Sequence, residues 1–285
     1  MGSRKNIIAH YDLGNEFYSL FLDNTMTYSC GIFEQEQSTL EDASVAKYDR
    51  ICKKLRLHPG DRVVEIGTGW GGFAVHAVQN YGVQVTTTTI SNEQYEFAAK
   101  RFRDAGLDDQ VSVLKKAYRD LRGTFDKLVS IEMIEAVGHH FYKTFFQTCS
   151  RLLKDDGMMA LQAITIGDQI FNRHKRSVDF IKRYIFPGSC IPSITAISNA
   201  LAKATDLRLV QLEDITPHYA RTLREWRRRF FANIEKVRAL GFSDTFIRMW
   251  EYYLCYCEGG FAERYIGDVQ IVLAKPLWRQ EISLT

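Results

Sequence analysis

The chain has 285 residues, with 37 Lys and Arg against 34 Asp and Glu for a net charge of +3. That length fits one domain with insertions better than two full domains, and 46% hydrophobic with 25% charged residues excludes disordered and fibrous classes. An aromatic share of 13%, with 18 Phe, 14 Tyr and 4 Trp, is high enough to suggest a pocket for apolar or cationic groups.

No run of apolar residues is long enough to span a bilayer. The N-terminus MGSRKNIIAHYD lacks the apolar stretch of a signal peptide, and Asn6 stands where a myristoylation signal needs Ser or Thr. The cysteines at 30, 52, 149, 190, 255 and 257 form no CxxC pair and no metal-ligand spacing. Cys255 and Cys257 are too close for an ordinary disulfide. A reduced, cytoplasmic, metal-free protein is expected.

In chain order, residues 1–57 read as a helical segment, with apolar Leu20, Phe21 and Leu22, a loop TMTYSCGIF, and a helix around Ser44–Leu55. From 58 to 165 the pattern alternates. Strands DRVVEIG, VQVTTTTI, VSVLKKA, FDKLVSIE and GMMALQAIT are separated by the helices GWGGFAVHAVQNYG, NEQYEFAAKRFRDAG and YKTFFQTCSRLLKDDG. This alternation predicts an α/β fold with a doubly wound parallel sheet, whose ligand crevice lies along the C-terminal strand ends. Residues 166–285 are mostly helical, with late strands in LRLVQLEDI and GDVQIVLAKP. The helical insertions are expected to roof the crevice.

The sharpest local signal is Glu65-Ile66-Gly67-Thr68-Gly69-Trp70-Gly71-Gly72. Glycines after a strand permit a tight turn and let a ligand approach a helix N-terminus. The spacing Gly67-x-Gly69-x-x-Gly72 formally satisfies a dinucleotide pattern. The second strand, however, ends TTTTISNEQ, without the acid such a site needs for its ribose. With Glu65 two positions before the first glycine, the run E-x-G-x-G-x-G instead resembles the first motif of class I S-adenosylmethionine (SAM) methyltransferases. That resemblance implies a Rossmann-like SAM-binding core in which Glu65 holds the methionine end. Thr89 and Gln94 replace the missing acid as neutral hydrogen-bonding groups, and Tyr118, after the third strand, stands where an adenine ring stacks.

Three further segments narrow the resemblance: HYDLGNEFYSLFLDNTMTYSCGIF (10–33), SIEMIEAVG (130–138) and PHYARTLREW (217–226). With the glycine loop and TISNEQ they resemble the cyclopropane-fatty-acyl-phospholipid synthase family, which includes the mycolic acid cyclopropane synthases. The likeness runs from about His10 to Pro276. It implies addition of a SAM-derived methylene to the cis double bond of unsaturated phospholipid acyl chains. The intermediate carbocation needs a dry, aromatic-walled site and a base beside the transferred methyl group.

In that family the base is a bound bicarbonate. Carried over by motif, its ligands here are Cys30 of TYSCG, Glu135 of IEAVG, the backbone of Ile164, and Tyr219 of HYARTL. The histidine position falls on Gln162, which donates N–H but cannot change charge near neutral pH. Tyr11 and Tyr28 wall or hydrogen-bond the methionine end of SAM. His139 and His140 match no role and are expected on a solvated helix edge. Two basic stretches, RHKRSVDFIKRYIF and RTLREWRRRFF, are expected to touch anionic head groups at a membrane surface. Alternatives that share the fold are a methyl-branched lipid product and a small-molecule amine N-methyltransferase.

Overall fold

The computed structural model describes residues 13–279, so Tyr11 lies outside the described residues. Seven strands, β1 (Arg62–Ile66), β2 (Gln84–Thr89), β3 (Val111–Lys115), β4 (Phe125–Ile131), β5 (Leu153–Ile166), β6 (Arg208–Asp214) and β7 (Ile266–Ala274), form one sheet. Their order is β3-β2-β1-β4-β5-β7-β6. The central strands are buried on both faces: Val63, Val64 and Ile66 of β1 and Leu128 and Val129 of β4 are almost fully enclosed, as crossover helices on both sides require.

The five strands expected to form a parallel sheet do so, and the late strands make the sheet mixed. β1 to β5 pair in parallel, but β7 runs antiparallel to both β5 and β6. The register gives the reason. β6 ends at Asp214, and β7 begins at Ile266 opposite Ile166, the last residue of β5. The chain therefore leaves and re-enters the sheet at the same edge, which fixes β7 as antiparallel. It also puts all of 215–265 over the C-terminal strand ends. This segment contains the helices Thr216–Ala232, Ile234–Ala239 and Asp244–Ala262.

The N-terminal segment closes the same edge. Its long helix, Leu40–Leu55, starts four residues before the predicted Ser44, because Thr39 and Asp42 form a reciprocal cap. Asp42 N–H donates to Thr39 Oγ1 at 3.1 Å, and Thr39 N–H to Asp42 Oδ2 at 2.8 Å. One continuous apolar cluster joins this segment to the roof helices through Phe17, Tyr18, Phe21, Trp226, Phe230 and Trp250. Much of the aromatic excess thus sits between the crevice and its roof. Among the described residues no helix is long and apolar enough to cross a membrane.

Candidate active site

The glycine loop connects β1 to the helix Gly72–Tyr81. Gly71 caps that helix with φ 84°, and a β-carbon there would stand 2.8 Å from the Phe102 ring. A β-carbon on Gly72 would stand 2.6 Å from the Tyr48 hydroxyl oxygen and 2.9 Å from the Thr25 carbonyl. Both positions therefore need glycine for packing. Glu65, 2% exposed, accepts from Thr87 Oγ1 at 2.6 Å. Burial pushes its carboxyl up from 4.5 to about 8, against the Thr87 hydrogen bond and the Lys47 charge.

A cavity of about 130 Å³ opens at this loop. Tyr28, Glu65, Gly67, Gly69, Gly72 and Gln94 all line it. Gly71, Thr89 and Tyr118 are not among its lining residues. Gly71 shapes the turn, and Thr89 donates to Gln94 Oε1 at 2.8 Å, holding the amide in place. The Tyr118 ring packs edge-on against Phe145 at 5.5 Å.

A second cavity, about 330 Å³ and mostly apolar, lies under the roof helices. Glu135, Ile164, Tyr219, Trp226 and Phe261 line it, and Tyr28 and Glu132 line both cavities. The two spaces therefore share a wall at those two side chains. Cys30 and Gln162 line neither. The Cys30 thiol donates to Gly31 O at 3.2 Å, and burial holds it well above the usual thiol range. It is a thiol, not a nucleophilic thiolate.

Between the cavities lies a cluster of acids. Glu132, at the end of β4, adopts φ 47°. Its Oε1 accepts from Cys30 N–H at 2.8 Å and from Gln162 Nε2 at 2.8 Å, and its Oε2 accepts from the Tyr219 hydroxyl at 2.5 Å. Gln162 Nε2 also lies 3.2 Å from Asp268 Oδ2, while Gln162 Oε1 accepts from Gln270 at 3.0 Å. Asp268 is fully buried, and burial followed by the Glu132 charge raises its pKa well above the carboxylate range. Glu135 Oε1 accepts from Ile164 N–H at 2.6 Å, and its Oε2 has no hydrogen-bond partner among the described residues. Burial, and then the Glu132 charge, push Glu135 up to about 8.

This arrangement does not fit a bound bicarbonate. Three of the donors implied for that anion, Cys30 N–H, Gln162 Nε2 and the Tyr219 hydroxyl, converge on Glu132, and Ile164 N–H is taken by Glu135. Sequence reading missed Glu132 because the motif drew attention to Glu135. The signal for it was its place at the C-terminal end of a parallel strand, on the ligand edge of the sheet.

The raised carboxyls make a stability prediction. Glu65 and Glu135 titrate near 8 in the fold and near 4.5 ordinarily. Between those values the folded chain binds more protons than the unfolded chain. Their contribution is thus fully present below pH 4.5, declines as pH rises towards 8, and is lost above. Thermal melts of the ligand-free protein should fall across pH 6 to 8, and the slope should flatten in Glu65→Gln. An equal slope in both proteins would contradict the burial effect.

Residues 2–271 match the family model described as mycolic acid cyclopropane synthetase. The chain belongs to this family. Tuberculostearic acid methyltransferase UfaA1 of Mycobacterium tuberculosis (strain ATCC 25618 / H37Rv) is 39% identical over 280 residues, covering 96% of this chain and 65% of that protein. The cyclopropane-fatty-acyl-phospholipid synthase of Escherichia coli (strain K12) is 40% identical over 267 residues, covering 93% of this chain and 66% of that enzyme. The chain thus spans about two thirds of the length of these relatives. Mycolic acid cyclopropane synthase CmaA1, solved in complex with SAH and CTAB, superposes with a TM-score of 0.88 at 34% identity, over 95% of this chain and 98% of that one. The fold is that of the class I SAM methyltransferases, as the strand order and these family members show.

Proposed function

We propose that the chain transfers a one-carbon unit from SAM to the cis double bond of an unsaturated phospholipid acyl chain and closes a cyclopropane ring. The observation that carries this reading is the shared wall: Tyr28 and Glu132 border both the glycine-loop cavity and the larger apolar one. A cofactor in the first and an acyl chain in the second would meet there.

The residues present fit SAM. Gly67, Gly69, Glu65, Gln94 and Tyr28 line one cavity, where the glycines would leave the loop backbone open to the ligand and Glu65 would hold the ammonium end. When bound, SAM supplies a methyl group carried on a sulfonium. The protein's own part is to hold the alkene against that methyl, exclude water, stabilise positive charge and take up a proton. The Tyr28 and Trp226 rings stand 5.1 Å apart, and the Tyr219 ring stacks on Phe261 at 4.1 Å. These electron-rich faces suit a transient cation on the acyl chain, with carboxyl groups close by for the proton.

Presentation at a membrane surface belongs to the same proposal. Tyr265, which lines the apolar cavity, is 59% exposed, and Val178 and Tyr184 are exposed on the segment that supplies lining residues Asp179 and Lys182. Arg173, Arg176 and Arg183 are exposed on that segment too. In the second basic stretch Arg224 and Arg228 are exposed as well, and all five arginines have partners within the protein. Arg221 caps the carbonyls of Gln35, Glu36 and Ser38, Arg224 and Arg227 pair with Glu258, Arg228 pairs with Glu225, and Arg229 bonds to Leu22 O. Arg221, Arg224, Arg227 and Arg229 thus tie the roof helix to neighbouring elements, and Arg228 pairs within it.

The same cation would give a methylene branch if a hydride shift preceded loss of the proton, and a methyl branch would need a further hydride from a separate reductant. Relatives named tuberculostearic acid methyltransferase and probable fatty acid methyltransferase favour keeping the branched product as the second reading. Incubation with SAM and vesicles of unsaturated phospholipid, followed by mass spectrometry of the fatty acids, tests the proposal. Gain of one CH₂ with loss of the alkene is expected. Unchanged lipids alongside efficient methylation of soluble amines would overturn it.

A further inference from the structure

We propose that Glu132 is a built-in base, its carboxylate filling the seat expected for bicarbonate and taking the proton from the transferred carbon. This rests on the one-carbon transfer proposed above. The donor geometry is specific. A backbone N–H, an amide N–H and a phenol O–H approach one carboxylate from three different elements, the loop at Cys30, strand β5 and the helix Thr216–Ala232. Oε1 accepts twice and Oε2 once. The buried Asp268 carboxyl is a further hydrogen-bonding neighbour of Glu132, and Glu132 itself borders both cavities.

The backbone supports the same conclusion. Glu132 carries a β-carbon at φ 47°, in the left-handed region where glycine is preferred. Such a conformation persists where the surroundings hold it, and it recurs at functional sites. Here the Glu132 N–H donates to Gln162 O at 2.8 Å, and the three side-chain hydrogen bonds fix the carboxylate. Gln162 completes the arrangement, because an amide orients the carboxylate without competing for the proton.

The step balances without any further reactant. A C–H bond of the transferred methyl group breaks, and its electron pair closes the ring onto the cationic carbon. The proton goes to the Glu132 carboxylate, giving a neutral carboxylic acid and a neutral cyclopropane. Glu132 returns the proton to water when the product leaves.

The test uses the full chain and two variants, Glu132→Gln and Glu132→Gly, the second being favoured by the left-handed backbone. In carbonate-depleted buffer, wild-type turnover should not change when bicarbonate is added. Glu132→Gln should lose turnover by about 10²-fold or more while still binding SAM. Glu132→Gly should be equally slow and recover about tenfold with added bicarbonate, which a merely structural role would not produce. Titration of ¹³C-bicarbonate followed by NMR gives a readout that needs no turnover: line broadening is expected with Glu132→Gly and not with wild type. Bicarbonate binding to the wild type, or near-normal turnover of Glu132→Gln, would overturn the inference and leave the lipid reaction standing. If no form makes a lipid product, the proposed function fails, and the NMR arm still decides whether Glu132 fills the seat.

Discussion

Glu135→Gln should lower turnover by about 10²–10³-fold while leaving SAM affinity nearly unchanged. The amide retains an oxygen to accept from Ile164 N–H, so the local backbone is preserved. What disappears is the negative charge available beside the apolar cavity. Glu135 lines that cavity, and its second oxygen has no partner among the described residues. Burial and the neighbouring Glu132 keep it neutral up to about pH 8. A cation in the cavity reverses that balance and favours its ionised form, so the charge appears when it is needed. Because Glu135 is not among the residues lining the glycine-loop cavity, a calorimetric SAM titration should barely distinguish the variant. Near-normal turnover would remove Glu135 from the chemistry.

Trp226→Ala should destabilise the protein by about 3–5 kcal/mol. The indole is 1% exposed and packs at ring distances of 5.1 Å from Tyr28, 6.3 Å from Tyr219 and 6.4 Å from Phe21. Its removal leaves a void between the roof helix and the N-terminal segment, which few neighbours can fill. The melting temperature should drop by roughly 10 °C, with a smaller loss in Trp226→Phe. The same void admits water to the cavity, so a hydroxylated by-product should accompany the ring product as water captures the cation. An unshifted melting temperature would show that the aromatic cluster does not hold the roof in place.

Much of this was legible in the sequence because it is local. The strands carry continuous apolar runs such as Val63-Val64, and glycines mark the loop that follows. Gly72 is required by atoms distant in sequence, Tyr48 and Thr25, yet a glycine after a strand is visible by itself. The direction of β7 was not legible, because a helical connection of 51 residues (215–265) between β6 and β7 does not encode at which edge it returns. The start of the helix at Leu40 was legible in principle from Thr39 and Asp42.

At the site, motif reading found the donors but not their acceptor. Cys30, Gln162 and Tyr219 were identified for an external anion, and their hydrogen bonds run to Glu132 instead. Side-chain convergence of residues 30, 132, 162 and 219 is set by tertiary packing and leaves no trace in spacing. The arginines of RTLREWRRRFF likewise have partners that spacing does not reveal. Glu258, which holds two of them, lies more than thirty residues away.

The most direct test of the central claim counts deuterium. The claim is that a carbon is added to an alkene and then loses a proton to a protein base. With SAM carrying a CD₃ methyl group and vesicles of unsaturated phospholipid, mass spectrometry of the new fatty acid should show two deuterium atoms on the added carbon. Retention of all three, on a lipid or on an amine, would mean that the transferred methyl never gives up a proton and would contradict the account.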